Sequence, residues 1–337
     1  KDTEEGYGRA DKAAAWLLLS RLYLNAEVYT GKAEWAKAKE YAKKVMDSSY
    51  KLHTGSTVNG WTAYQQLFMA DNGSNGASEE AILPLLQDGK TTTSYGTTLF
   101  LMAGCNDNKE RVKSATEKGN NTTEGWAGNR MRPDLVQKFF PNNDAPNISA
   151  YAMPAAADDD RALFDGDGRN VTNGDDENGV KVFTNGFSVC KFNNFKTDGS
   201  AGHDSKFPDA DFFLMRAAEA YLMYAEADAR QNGGTTTADG AKYINELRSR
   251  AHATTYTAYS LRQICDEWSR EFYFEGLRRT TLIRFGYFGG NVNYNWSWKG
   301  GVKNGRNFDA HLNLFPIPTS DLTANGNLAQ NPGYSSK

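Results

Sequence analysis

Two regions of helical periodicity enclose a long segment that has none, and this contrast limits the folds open to the chain. In Gly8–Thr30, Ala14, Leu17, Leu18, Arg21 and Leu22 fall at i, i+3, i+4, i+7 and i+8, one face of an α-helix. Gly31 interrupts the pattern, and Trp35, Ala38, Ala42 and Val45 then recur at i, i+3, i+7 and i+10. Two antiparallel helices of this length joined by a short turn make an αα-hairpin. A tetratricopeptide-like unit has this size, and one copy does not distinguish it from an ordinary helical hairpin.

From Ser48 to about Pro208 the period is lost. Gly, Asn, Thr and Asp punctuate short stretches such as Glu80–Leu86 and Val180–Phe183. Ala81–Leu86 reads as a short buried strand, and Arg132–Phe140 as a short helix with Pro133 in its first turn. The remainder is long loops, which in a compact domain are functional or disordered. An aromatic content of 12% argues for order.

Helices are predicted again from Asp211. Phe212, Met215, Glu219, Leu222 and Glu226 share one face; Gln231–Thr237 is a turn; Thr237 caps a helix carrying Ala241, Ile244, Leu247, Arg248 and Ala251. This is a second αα-hairpin. A third helix is expected over Ser260–Gly276, with Ser260 as cap, Gly276 as stop and a stripe of Leu261, Ile264, Trp268, Phe272 and Glu275. Leu282–Phe285 continues helically, Gly289–Asn307 is irregular, and prolines keep Phe315–Pro318 and Gln330–Tyr334 extended or turned. The chain is therefore read as one mainly α domain, tetratricopeptide-like hairpins with a loop-rich region and a few short strands. Its parts are a helical hairpin over 1–50, a loop-rich region over 51–210, and C-terminal helices and tail over 211–337.

The 38 basic residues are balanced by 41 acidic ones, so nucleic acid is not an expected partner. No apolar run approaches the roughly 18 residues of a membrane span. Cys105, Cys190 and Cys265 lie far apart and form no CxxC pair, against both a disulfide framework and a structural zinc site. His53, His203, His252 and His311 show no HxxxH or HxH spacing, although spacing alone does not exclude a site assembled in space. Gly104, Gly119, Gly125 and Gly128 form no nucleotide-binding pattern. Asp158–Arg161 and Asp165–Gly168 are acidic and glycine-rich, but no Glu closes a 12-residue loop in register. They read as a solvated turn with Asp160 paired to Arg161 or another arginine. No metal and no cofactor are expected.

Arg216, Glu219, Glu226, Arg248, Arg270, Glu271, Glu275 and Arg278 are many charges for otherwise apolar helices. A glycosidase needs two carboxylates about 5–9.5 Å apart across the scissile bond. Glu271 and Glu275, at i and i+4 of one predicted helix, point the same way. Buried Arg–Glu pairs joining helices account better for the pattern, and no residue is assigned a catalytic role.

The C-terminal phrases form an ordered set. Phe213–Arg216, Glu219–Tyr221 and Ala225–Glu226 read FLMRAAEAYLMYAEA; Ile244–Asn245 is followed by Arg248 and Arg250. Then come Arg270–Glu271, Phe274–Gly276 with Arg278, Arg284–Gly286, LFPIP at Leu314–Pro318 and QNPGY at Gln330–Tyr334. Together with Gly8–Ala10, Trp35, Asp159–Arg161 and Lys191–Phe192, this series resembles the SusD/RagB family of Bacteroidetes surface lipoproteins. The resemblance covers nearly the whole chain. Members open with a lipoprotein signal, an anchoring Cys and a block of tetratricopeptide-like helices; Lys1 is expected to fall well inside a member, in a fragment or processed chain.

The resemblance implies a non-catalytic sugar- or peptide-binding protein on the outer face of the cell outer membrane, lipid-anchored through an N-terminal part. Its partners would be an oligosaccharide or polysaccharide and a SusC-like TonB-dependent transporter that imports it. A glycoside hydrolase and a helical-repeat scaffold without a small-molecule site are the alternatives.

A pyranose packs its C–H face on an aromatic ring while its hydroxyls need amide, carboxylate or guanidinium partners. Tyr95 lies in the polar stretch Thr91–Thr98, and Trp126 stands close to Asn129 and Arg130. Both rings lie in the part of the chain that resembles the family's variable ligand region. Tyr95, Trp126, Asn129 and Arg130 are therefore the candidate ligand-binding residues. Trp61, Tyr64, Trp296 and Trp298 read as packing anchors.

Overall fold

Asp11 starts the first helix by accepting the amides of Ala13 and Ala14 at 2.9 and 3.1 Å. The computed structural model describes residues 6–107, 113–171, 182–290 and 293–335. The elements that matter here are α1 (Lys12–Leu24), α2 (Trp35–Met46), β1 (Ala81–Leu85), α3 (Thr97–Ala103), α4 (Pro133–Val136), β2 (Phe164–Asp165), β3 (Ser188–Val189), β4 (Phe212–Arg216), α5 (Ala217–Gln231), α6 (Ala238–Arg250), α7 (Leu261–Phe272) and α8 (Arg278–Arg284).

The α1–α2 hairpin forms as expected. Ala38, Ala42 and Val45 of α2 are fully buried, and the Ser20 hydroxyl donates to the Ala38 carbonyl at 2.8 Å, a close approach that small side chains permit. The buried face of α1 is narrower than its apolar stripe: Leu17 is buried, but Leu18 and Leu22 are each 47% exposed. Helix α5 packs between α2 and α6, and every residue from Ala217 to Ala229 is buried. Thr237 caps α6 and Ser260 caps α7 with a reciprocal Gln263 contact, as their sequences predict.

The helix expected from Asp211 begins at Ala217, because Phe212–Arg216 is a strand antiparallel to β1, with Leu85 opposite Phe212 and Ala81 opposite Arg216. Phe213 and Met215 point inward while Leu214 is exposed, a period-2 pattern that the following helical period masks. Helix α7 ends at Phe272, not Gly276. Tyr273 leaves the helix with ψ 144 and its hydroxyl donates to the Arg161 carbonyl at 2.7 Å, turning the chain into a second core.

The middle region is ordered by aromatic clusters. Phe139, Phe140, Phe164, Phe187 and Tyr273 form one, around the β2–β3 pair; Tyr64, Phe68, Phe192 and Phe213 form another. Trp61 and Tyr64 are buried anchors, and the Tyr64 hydroxyl donates to the Glu271 carbonyl at 2.7 Å. The helix expected over Arg132–Phe140 is limited to α4. Of Val180–Phe183, residues 180–181 lie outside the described residues.

The charges on the helices are knotted together in the interior. Arg216 donates to Glu80 at 2.8 Å, Glu271 at 2.6 Å and Glu275 at 2.7 Å. Arg250 joins Glu80 and Glu271, and Arg161 joins Asp159, Glu267 and Glu271. Burial alone would raise the Glu271 carboxyl; the Arg250, Arg216 and Arg161 guanidiniums outweigh it and hold the group down at about 2. Glu226 takes Arg284 at 2.7 Å and the Trp268 indole at 2.9 Å, and Arg21 of α1 takes Glu219 at 2.5 Å.

Arg278 departs from the expectation. It donates to the Cys265 carbonyl at 2.8 Å and the Tyr294 hydroxyl at 2.7 Å, because it opens α8 outside the buried cluster. Glu275 also lies beyond α7, yet it meets Glu271 on Arg216. In the acidic loop Arg161 is held by Asp159, while Asp160 bonds His252 at 2.7 Å. Asp165 is buried, accepting Lys113 and the Ala150 amide.

Candidate functional site

The C-terminus of α3 leaves carbonyls with no partner inside the helix. The segment 126–129 satisfies them. The Trp126 amide donates to Ala103 at 2.8 Å, and the Gly128 and Asn129 amides to Gly104 at 3.0 and 2.6 Å. This clamp anchors the Trp126 backbone at the end of α3, and its ring reaches back along the helix to Phe100 and to Tyr95, which precedes the Gly96 cap.

Tyr95 and Trp126 thereby become neighbours. Their ring centres are 6.4 Å apart with planes 25° from parallel, and the residues are 56% and 38% exposed. Phe100 of α3, 50% exposed, tilts against Trp126 at 6.1 Å. Phe207 meets Tyr95 edge-on at 5.5 Å.

The polar edges of the two main rings are tied together. The Trp126 indole donates to Glu124 at 2.9 Å, Lys206 lies 3.3 Å from Glu124, and Lys206 donates to the Tyr95 hydroxyl at 2.6 Å. The Tyr95 hydroxyl and Glu124 hold the Lys206 ammonium above its ordinary value. With their polar atoms engaged, the rings offer their carbon surface to solvent.

Of the four sequence candidates, the structure brings Tyr95 and Trp126 together. Asn129 is exposed, and its side-chain amide lies close to Gly104, where a Cβ would come within 2.9 Å of it. The Arg130 guanidinium donates to the carbonyls of Asn185 at 2.7 Å and Gly128 at 3.2 Å, bracing the same segment. Sequence reasoning missed Phe100, Glu124 and Lys206. Phe100 carried a signal: Leu99, Met102 and Ala103 form the buried face of a short helix, which leaves Phe100 outside. Lys206 had none, 111 residues from its partner.

Among the described residues, Asp88, His203 and Asp209 bring three potential ligand atoms within 4.8 Å of one another. The two carboxylates already accept backbone amides of Gly89, Lys90, Thr91 and His203. No described helix is long and apolar enough to cross a membrane.

A profile of the SusD family matches residues 79–334. Over 97% of its length the chain is 43% identical to the starch-binding protein SusD of Bacteroides thetaiotaomicron, and it spans 61% of that protein. Among solved structures, surface glycan-binding protein A of Bacteroides thetaiotaomicron in complex with laminarihexaose superposes with a TM-score of 0.63 at 19% identity, over 98% of this chain and 66% of that one. A SusD-like protein of Bacteroides fragilis gives 0.64 at 18% identity, over 99% and 67%. These two likenesses are of fold, mainly helical with few short strands. The family profile takes in β1, both later hairpin helices and the proline-rich tail, and with the 43% identity it shows that the chain belongs to the SusD family.

Proposed function

We propose that this chain captures an oligosaccharide or polysaccharide without making or breaking bonds, on a platform formed by Tyr95 and Trp126. The observation that carries the reading is the half-exposed ring pair, braced at its polar edges by Lys206 and Glu124. The C–H face of a sugar would pack on these rings, as flat ligands do on aromatic platforms. Asn129 and Arg130 would meet the hydroxyls, and Phe100 would extend the apolar surface. Helices α1, α2, α5 and α6 serve as scaffold in this account, and residues 51–210 as the ligand region.

The 43% identical relative is named for starch, so a starch-type glucan is the first ligand to test. The whole protein would sit on the outer face of the outer membrane, lipid-anchored through a preceding segment, and hand its glycan to a SusC-like TonB-dependent transporter. Modest affinity suits such a transfer, because a tight complex releases slowly. Native gels cast with a panel of polysaccharides test the reading. At least one should retard the chain, and incubation with it should release no shorter sugars. Turnover that follows the purified chain would refute it.

A further inference from the structure

A cleft of about 1040 Å³ opens between α6 and the loop 51–57, and no residue of the Tyr95–Trp126 platform lines it. Its floor is apolar, formed by Leu52, Ala63, Ala241 and the ring of Tyr221, all buried. On α6, Ala238, Lys242, Asn245 and Ser249 follow at i, i+4, i+7 and i+11 and make one wall. The facing loop is held in place. The His53 ring lies between Glu79 at 2.9 Å and Gln66 at 2.7 Å, and the Gln66 amide donates to the Ser56 carbonyl at 2.9 Å.

The charges of the cleft are matched within the protein. Arg250 pairs with Glu80 and Glu271, Lys51 stands 3.1 Å from Glu79, and the His252 ring meets Asp160 at 2.7 Å. Lys242 lies 3.9 Å from Glu246, opposite in charge but beyond hydrogen-bond reach. What the cleft has to spare is hydrogen-bonding capacity. Arg250 Nε is buried and has no acceptor among the described residues. Among the same residues, the Tyr221 hydroxyl and the Glu246 carboxylate take part in no hydrogen bond. Burial raises the Glu246 carboxyl and pushes the Tyr221 hydroxyl up to about 12, as expected where water solvates a group poorly.

One donor, one acceptor and a hydroxyl that does both complement adjacent sugar hydroxyls, each of which donates and accepts. A buried donor left unpaired is costly, and a ligand oxygen on it removes that cost. Matched charges disfavour a charged ligand. The walls are a loop and helices, so no strand edge is open for a peptide to extend. An apolar floor with a few convergent polar groups is the usual form of a small-ligand site.

We propose that this cleft is a second saccharide site, taking a short neutral oligosaccharide whose hydroxyls bond Tyr221, Glu246 and Arg250 Nε. The proposal rests on the glycan-binding reading for its ligand class, but on none of the platform residues. Tyr221 is 8% exposed and offers no open ring face, so the cleft should bind about tenfold or more weakly than the platform.

The test is saturation-transfer NMR with maltotriose, laminaritriose and xylotriose at millimolar concentration, on the Tyr95→Ala/Trp126→Ala chain, where the platform is gone. At least one trisaccharide should still receive saturation. Adding Tyr221→Phe or Glu246→Gln should weaken that signal about fivefold or more, and Ser249→Trp, which fills the cleft from an exposed position, should abolish it. Melting curves identify any variant that unfolds, and Ser249→Trp decides if Tyr221→Phe melts early. No transfer to any of the three sugars would overturn the cleft and leave the platform reading intact. Transfer untouched by Glu246→Gln and Ser249→Trp would overturn it too. A stronger signal from the cationic trisaccharide of glucosamine would overturn the assignment to a neutral ligand.

Discussion

The Lys206 ammonium donates to the Tyr95 hydroxyl at 2.6 Å and lies 4.6 Å from the centre of the same ring. Through Glu124 it also reaches the Trp126 indole, so one half-buried lysine sets the attitude of both rings. Lys206→Met should therefore weaken glycan binding a few-fold while the melting temperature stays in place. Calorimetric titration beside a melting curve checks this; unchanged affinity would mean that the rings hold their angle unaided.

Tyr95→Ala and Trp126→Ala should each cost about 1–3 kcal/mol of binding, by analogy with other planar stacking partners. That corresponds to about tenfold to a hundredfold in affinity. Stability should fall far less than the ~3–5 kcal/mol of a truncated core aromatic. Early melting with retained affinity would place both rings in the core.

Glu271 takes hydrogen bonds from Arg161, Arg216 and Arg250. Glu271→Gln keeps the shape and removes the charge, leaving three buried guanidiniums short of a partner. We expect a loss of about 3–5 kcal/mol. Arg278→Ala should be milder, because Arg278 donates to neutral oxygens at the edge of the cluster. Chemical denaturation of both variants gives the comparison, and equal losses would contradict the assignment.

The same cluster sets an acid limit. Glu271 titrates at about 2 in the folded chain, below the ~4.3 of an unfolded glutamate. A depressed carboxylate contributes its full stability above the unfolded value and loses it as pH falls through the folded one. Denaturation midpoints should therefore drop between about pH 4.5 and 2. The slope should be shallower in Glu271→Gln, and an identical slope would remove Glu271 from the account.

How far the sequence could be read depended on the range of each interaction. Ala38, Ala42 and Val45 revealed α2 because helical burial is local and periodic. Leu18 and Leu22 misled because a stripe does not say how wide a face its neighbour covers. Phe212–Arg216 was misread because its strand identity comes from pairing with β1, far away in sequence. The Arg–Glu cluster was foreseen from charges on apolar helices, yet Glu80, 136 residues from Arg216, went unnoticed. Tyr95 and Trp126 were picked out by their loop setting, but their stacking depends on how segment 126–129 closes the end of α3.

Capture of glycan by the Tyr95–Trp126 pair can be measured on the pair itself. Its most direct test is calorimetric titration of maltoheptaose into the unaltered chain and into Tyr95→Ala/Trp126→Ala, with melting curves for both. Saturable binding to the unaltered chain that is lost in the double variant, at nearly equal melting temperatures, is the predicted result. Undiminished binding by a folded double variant would contradict it.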